Sequence, residues 1–164
     1  MVSPLDSLPI LYETIDARMG ELNQRHVDRL QCHRGCSQCC VDELTVQEIE
    51  AAHIERAVGD GLRGQVAGAP GACAFLDENQ ACRIYEARPY VCRTQGPPIR
   101  WSEGEAEHRD ICPLNDTGPP ITELPADACW TIGPVEERIS LLQAFRPSDE
   151  RVALRALFSR LASQ

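Results

Sequence analysis

Apolar residues near the start of the chain recur at three- and four-residue steps. Leu8, Leu11, Ile15, Met19, Leu22, His26 and Leu30 fall on one stripe, with Glu13, Asp16, Arg18 and Arg25 on other faces. That period predicts a helix over 7–31. Pro9 is tolerable there only in the first turn, because proline lacks an N–H and crowds the preceding turn. His26, on the stripe, reads as a hydrogen-bonded packing residue. A second helix is predicted from Thr45 to about Val58, before the Gly59-Asp60-Gly61 breaker. Thr45 and Glu48 are spaced as a capping box there, and Leu44 and Ile49 as a hydrophobic staple. Pro134 fits the first position of a third helix, with Val135, Ile139, Leu142 and Phe145 on one face. Pro147 and Ser148 are expected to break and recap the chain. Val152, Leu154, Leu157, Phe158 and Leu161 then predict a final amphipathic helix.

The stretches between these helices are less regular. Residues 61–72 are rich in Gly and Ala and read as loop. Residues 94–127 hold Gly96, Pro97, Pro98, Gly104, Pro113, Gly118, Pro119, Pro120 and Pro125, too dense a spacing for long elements. The acidic run Glu103 to Asp110 reads as a solvated loop, and no alternating strand pattern stands out. The expectation is a mainly α fold, a small single domain over 1–164 with terminal helices around an irregular cysteine-rich metal-binding centre. That centre spans 32–93, followed by a Pro/Gly-rich wrapped segment at 94–130 and C-terminal helices at 132–162.

The centre carries the chemistry. Residues 32–40 read CHRGCSQCC, placing Cys32, Cys36, Cys39 and Cys40 within nine positions, and Gly35 supplies a tight turn among them. The chain has 9 cysteines in all, the others being Cys73, Cys82, Cys92, Cys112 and Cys129. Disulfide frameworks favour short secreted chains with an even cysteine count. Here the first thirty residues carry Asp6, Glu13, Asp16 and Glu21 and no continuous apolar stretch, so a cytoplasmic location is expected. The usual partner of crowded thiols in that setting is a metal ion. Charge narrows the other partners. The net charge is −9, with 16 Lys+Arg scattered singly against 25 Asp+Glu, which argues against nucleic acid. No apolar run approaches the ~18 residues of a membrane span.

Four thiolates on one divalent ion must converge to within about 2.3 Å of it, usually from two short knuckles. Cys36-Ser37-Gln38-Cys39 is one knuckle, and Cys82 with Cys92 could supply the other half. Neighbouring side chains usually diverge, so Cys40 is expected to face the core or to reach another metal. Nine thiols can fill two four-cysteine sites with one left over, or one site with five bystanders. Cys32-x3-Cys36-x2-Cys39 also has the spacing of radical S-adenosylmethionine enzymes. Those enzymes use a much larger βα barrel and tend to carry an aromatic residue where this chain has Gln38. Membership there is disfavoured, and an iron–sulfur cluster of another kind stays open.

The segment GACAFLDENQACRIYEARPYVCR, residues 71–93, extends the pattern. Together with CHRGCSQCC it resembles the YkgJ-like cysteine-cluster family, the CxxCxxCC domain that chelates zinc or iron. The residues that carry the likeness are Cys32, Cys36, Cys39-Cys40, Cys73 with Phe75-Leu76, Cys82 with Ile84-Tyr85, Arg88-Pro89 and Cys92-Arg93. The span between Cys32 and Cys36 is one residue longer than in many members, and Ser37 stands where they have Gly. Flagellin lysine methylases carry a related cluster but are far longer. The resemblance implies zinc or iron, or an iron–sulfur cluster, held by Cys32, Cys36, Cys39, Cys40, Cys73, Cys82 and Cys92. Of the two cysteines outside its strongest part, Cys112, followed by Pro113, is the better candidate for an additional ligand than Cys129.

Arg83, Arg88 and Arg93 are placed to offset thiolate charge or to serve as ordinary surface residues. Tyr85 and Ile84 read as core. His33 and His108 could donate nitrogen but are expected to be exposed. No Ser-His-Asp arrangement, phosphate loop or HExxH pattern points to a catalytic residue. The expected function is metal binding, with an iron–sulfur protein of redox or methyl-transfer-related activity as the alternative.

Overall fold

A computed structural model describes residues 3–146 and 150–163. Helix α1 (Pro4–Arg25) starts at a serine cap, Ser3 Oγ accepting from the Asp6 N–H at 3.2 Å. Its earlier start puts Pro9 in the second turn rather than the first. The carbonyl that Pro9 cannot serve, Leu5 O, instead accepts from Arg56 Nη2 at 3.1 Å. The helix ends at His26, short of the predicted 31. His26 is buried, and its Nε2 lies 2.7 Å from Ala128 O, a packing role as read.

Strand β1 (Thr45–Gln47) leads directly into α2 (Glu48–Val58). The predicted Thr45 capping box does not form. Thr45 Oγ1 is taken by Arg151 Nε at 2.8 Å, because β1 pairs antiparallel with β5 (Arg151–Ala153). The cap shifts to Gln47, whose N–H donates to the Glu50 carboxylate at 3.1 Å. One-turn helix α3 (Tyr90–Arg93) follows the cysteine-rich loops. Strands β2 (Ile99–Glu103) and β3 (Ala106–Asp110) form a hairpin, and β2 also pairs parallel with β4 (Trp130–Thr131). Helix α4 (Pro134–Gln143) starts at Pro134 as predicted, and α5 (Leu154–Ala162) follows β5 directly. Pro147 and Ser148 lie outside the described residues.

Helices occupy 44% of the structure and strands 14%, so the fold is mixed α/β and not mainly α. The acidic run predicted as loop is the β2–β3 turn and strand β3. Most of the hairpin is exposed on both faces, which leaves no apolar alternation to read. Its two-residue turn puts Gly104 at φ +61, the conformation such hairpin turns favour.

Two apolar clusters organise the molecule, and α2 serves both. Leu8, Tyr12, Ile15, Met19 and Leu22 of α1 pack with Ile49, Tyr90, Trp130 and Ile139. Ala51 and Ile54 of α2 join Phe75, Leu76 and Ile84 with Leu157, Phe158 and Leu161 of α5. Glu50 lies buried between Tyr12 Oη (2.9 Å) and the Tyr90 N–H (2.8 Å), joining α1, α2 and α3 through one carboxylate. Burial and that carboxylate raise the Tyr12 phenol's pKa, so it stays a donor. Phe145 and Tyr85 are exposed, against the expectation that the first lies on a packed face and the second in the core.

A candidate metal centre

The cysteines sit on loops that the helices hold in place. The chain turns at Gly35 (φ +90), and Cys40 O then accepts from the Cys73 N–H at 2.8 Å. An isolated bridge pairs Val41 with Ala72, and another pairs Leu76 with Cys82. Gly68 allows this approach, since a Cβ there would lie 2.3 Å from Cys73 O. The apolar cluster of α2 and α5 includes Cys73, and Cys40 and Cys82 pack against it.

Arg155 of α5 clamps the same loops. Its guanidinium reaches Asp42 at 2.7 Å and the carbonyls of Gly68, Ala69 and Ala72 at 3.1, 3.1 and 2.8 Å. Of the three arginines weighed from sequence, Arg88 has a charge that reaches a thiol, that of Cys82. Arg93 is buried against Asp16 at 2.5 Å and over the Tyr12 ring, and Arg83 bonds Val66 O and lies over Phe158. Both are structural.

The thiols influence one another in two groups. Cys40, Cys73, Cys82 and Cys92 form one. Burial raises the pKa of Cys73 and of Cys82, and pushes Cys92 up to about 12, with Cys73, Cys82 and Cys39 adding to the rise at Cys92. Cys32 lies in reach of Cys36, Cys112 and Cys39, and burial holds its pKa up against a hydrogen bond from Asn115.

Cys39 adjoins both groups. A hydrogen bond from the Cys40 thiol lowers the Cys39 pKa to about 6, and the same bond raises that of Cys40. Residues 38–39 form a turn, and Cys40 packs against the apolar cluster of α2 and α5, the core-facing placement expected of it. Cys129 is buried and faces Arg109, Arg100, Glu107 and Arg25 instead of the other thiols. His33 and His108 are exposed as expected, and His108 stacks on Trp101.

Among the described residues, no three of His, Cys, Asp or Glu converge on one point closely enough to hold an ion. The donor set nonetheless suits zinc or iron. It consists of soft sulfur donors, and the burial that raises the Cys73, Cys82 and Cys92 thiols is what a divalent cation would offset as their protons leave. A cleft of about 250 Å³ opens beside them, with Cys39 and Cys112 on its wall together with Gln38, Gln95, Gly96 and Asp110.

Sequence reasoning missed Asn115, Gly96, Asp42 and Arg155 around these sulfurs. Asn115 meets residues 31, 32 and 96, and Arg155 meets Asp42, so the partners are too far apart in sequence for spacing to show them. No helix among the described residues is long and apolar enough to cross a membrane.

No curated protein and no solved structure matches the chain. The family model CxxCxxCC, "Putative zinc- or iron-chelating domain", matches residues 31–113, just over half of the chain. The match takes in Cys112 as well as the seven earlier cysteines and leaves Cys129 outside. The chain belongs to the CxxCxxCC family.

Proposed function

We propose that this protein binds zinc or iron through eight thiolates, as a storage, delivery or structural metal site whose coordination positions are filled by the protein. The observation that carries the reading is the family match over residues 31–113, which takes in eight of the nine cysteines, together with the bridges and hydrogen bonds that hold their loops to one another. The two thiol groups are Cys40, Cys73, Cys82 and Cys92, and Cys32, Cys36 and Cys112, with Cys39 between them. Each thiol bound as thiolate releases its proton, so uptake is favoured by rising pH. Arg155 and Arg88 offset part of the negative charge that ionised sulfurs leave on the first group. A cytoplasmic location suits these free thiols.

The cleft beside Cys39 and Cys112 favours a second reading, in which an iron–sulfur cluster faces a small substrate. Purification without oxygen, elemental analysis and an absorption spectrum separate the two. Bound zinc in a colourless protein supports the binding role. A brown protein with iron and inorganic sulfide supports the second reading. Absence of both metals after anaerobic reconstitution overturns chelation altogether.

A further inference from the structure

Asn115 has no exposed surface, and its side-chain amide makes three hydrogen-bonding contacts. Its Oδ1 accepts from the Gln31 N–H at 2.7 Å. Its Nδ2 donates to Gly96 O at 2.9 Å and to Cys32 Sγ at 3.4 Å. The two backbone contacts fix the amide's orientation. A peptide N–H can only donate and a carbonyl can only accept, so a flipped amide would set like against like at both. With Oδ1 and one Nδ2 hydrogen taken by backbone, the other Nδ2 hydrogen is left for the sulfur.

Gly96 protects the same arrangement. It sits at φ +114, and a Cβ on it would lie 3.1 Å from Cys32 Sγ and 3.9 Å from Asn115 Nδ2. Segments around residues 31, 96 and 115 thus converge on one sulfur, giving it a buried donor and room. A thiol used only for packing needs neither. A thiolate needs both, since an N–H donor offsets part of its charge and holds its direction while leaving lone pairs for another partner.

We propose that Asn115 is the positioning residue for Cys32, donating to its sulfur so that Cys32 joins Cys36 and Cys112 as a thiolate ligand. The inference rests on the chelation reading above, and it assigns a role to a residue beyond the 31–113 family match.

Cobalt(II), added anaerobically to the metal-free full chain, tests it, because sulfur-to-cobalt charge-transfer absorption reports bound thiolates. The proteins to compare are the parent, Cys32→Ser, Asn115→Asp and the double variant. Aspartate keeps the acceptor for Gln31 and removes both N–H donors. Each single variant should lose charge-transfer intensity, and Asn115→Asp should hold cobalt in this group about 10–100-fold more weakly, the usual effect of removing a ligand's supporting partner. The double variant should be no weaker than Cys32→Ser, because Asn115 acts through that sulfur. Parent-like intensity and affinity in Asn115→Asp, or additive losses in the double variant, would overturn the proposal. Should Asn115→Asp not fold, Asn115→Gln takes its place, since it keeps an amide but moves the donor away from Cys32 Sγ. Parent-like intensity there overturns the proposal while chelation stands. A parent that binds no cobalt, zinc or iron overturns chelation itself and the proposal with it.

Discussion

The two thiol groups rest on different supports. Cys40, Cys73 and Cys82 lie against an apolar cluster that includes Phe75, Phe158 and Leu157, and Arg155 clamps the loops around them. Cys32, Cys36 and Cys112 lie on loops and turns, where the buried amide of Asn115 joins residues 31, 32 and 96. Hydrophobic burial organises the first group before any ion arrives, at roughly 1.5–3 kcal/mol per large side chain. The second has mainly hydrogen bonds, whose net worth is about 1 kcal/mol each. The same ligand chemistry is therefore set up by packing in one place and by polar contacts in the other.

The largest expected effect comes from removing the metal. Structural zinc can contribute about 10–16 kcal/mol in small peptides, comparable to or above a domain's net stability of roughly 5–15 kcal/mol. Chelation should loosen residues 31–36 and 112–118 most. The amides of Cys73, Leu76 and Arg83, which bond Cys40 O, Cys73 O and Phe75 O, should keep more of their protection. Hydrogen exchange on the loaded and metal-free protein checks this, and equal loss in both groups would erase the contrast.

Phe75→Ala attacks the packed support. Phe75 is fully buried edge-on to Phe158, and its truncation should cost about 3–5 kcal/mol, read by denaturant unfolding. It should also weaken metal retention through Cys73 and Cys82 more than through Cys32 and Cys112. Cobalt titration of Cys73→Ser and Cys112→Ser in the Phe75→Ala background would show which group suffers.

A smaller effect separates ligand from bystander. Cys129→Ser puts a hydroxyl where a buried sulfur packs, so a stability loss of about 1–3 kcal/mol is expected with metal stoichiometry unchanged. Lost metal in this variant would bring Cys129 into the ligand set.

The smallest effect lies away from both groups. Arg146 pairs with Glu48 at 2.5 and 2.6 Å, and these hydrogen bonds hold the Glu48 carboxyl below its ordinary 4.5. A depressed carboxylate stabilises the fold in full above that ordinary value and loses its contribution as acid protonates the folded state. Glu48→Gln should cost about 1 kcal/mol or less at neutral pH, the pair being partly solvent-screened. The difference from the parent should shrink as pH falls below 4.5 and disappear once the lowered folded-state value is passed. Urea midpoints across that range measure it.

What the sequence made legible was whatever a local period or a run of cysteines encodes. α1, α4, α5 and the end of α2 followed from three- and four-residue steps and from Pro134 and Gly59. The hairpin did not, because its exposed faces give no alternation. Thr45 and Glu48 matched a helix cap by spacing, yet pairing with residues 151–153 claimed the threonine first. Among the sulfurs, the run CHRGCSQCC and its likeness to a known family drew attention to residues 32–93, and the family match over 31–113 takes in that region. Divergence of neighbouring side chains predicts that Cys40 faces the core or a second metal, and Cys40 does pack against the apolar cluster of α2 and α5. Asn115 and Arg155 were invisible because most of their partners, Gln31 and Cys32 for the first and Asp42 for the second, lie more than eighty residues away.

The Arg155 clamp has a consequence for the order of events during synthesis. Translation delivers Cys40 and Cys73 more than eighty residues before the guanidinium that fixes their loops. β1 likewise waits for its pairing partner in residues 151–153. A nascent chain that has exposed every cysteine still lacks the backing of Leu157 and Phe158 as well as the clamp. Its thiols are then mobile and open to oxidation or to a mismatched ion. Metal insertion into the packed group is therefore expected to wait until α5 has been made and has docked.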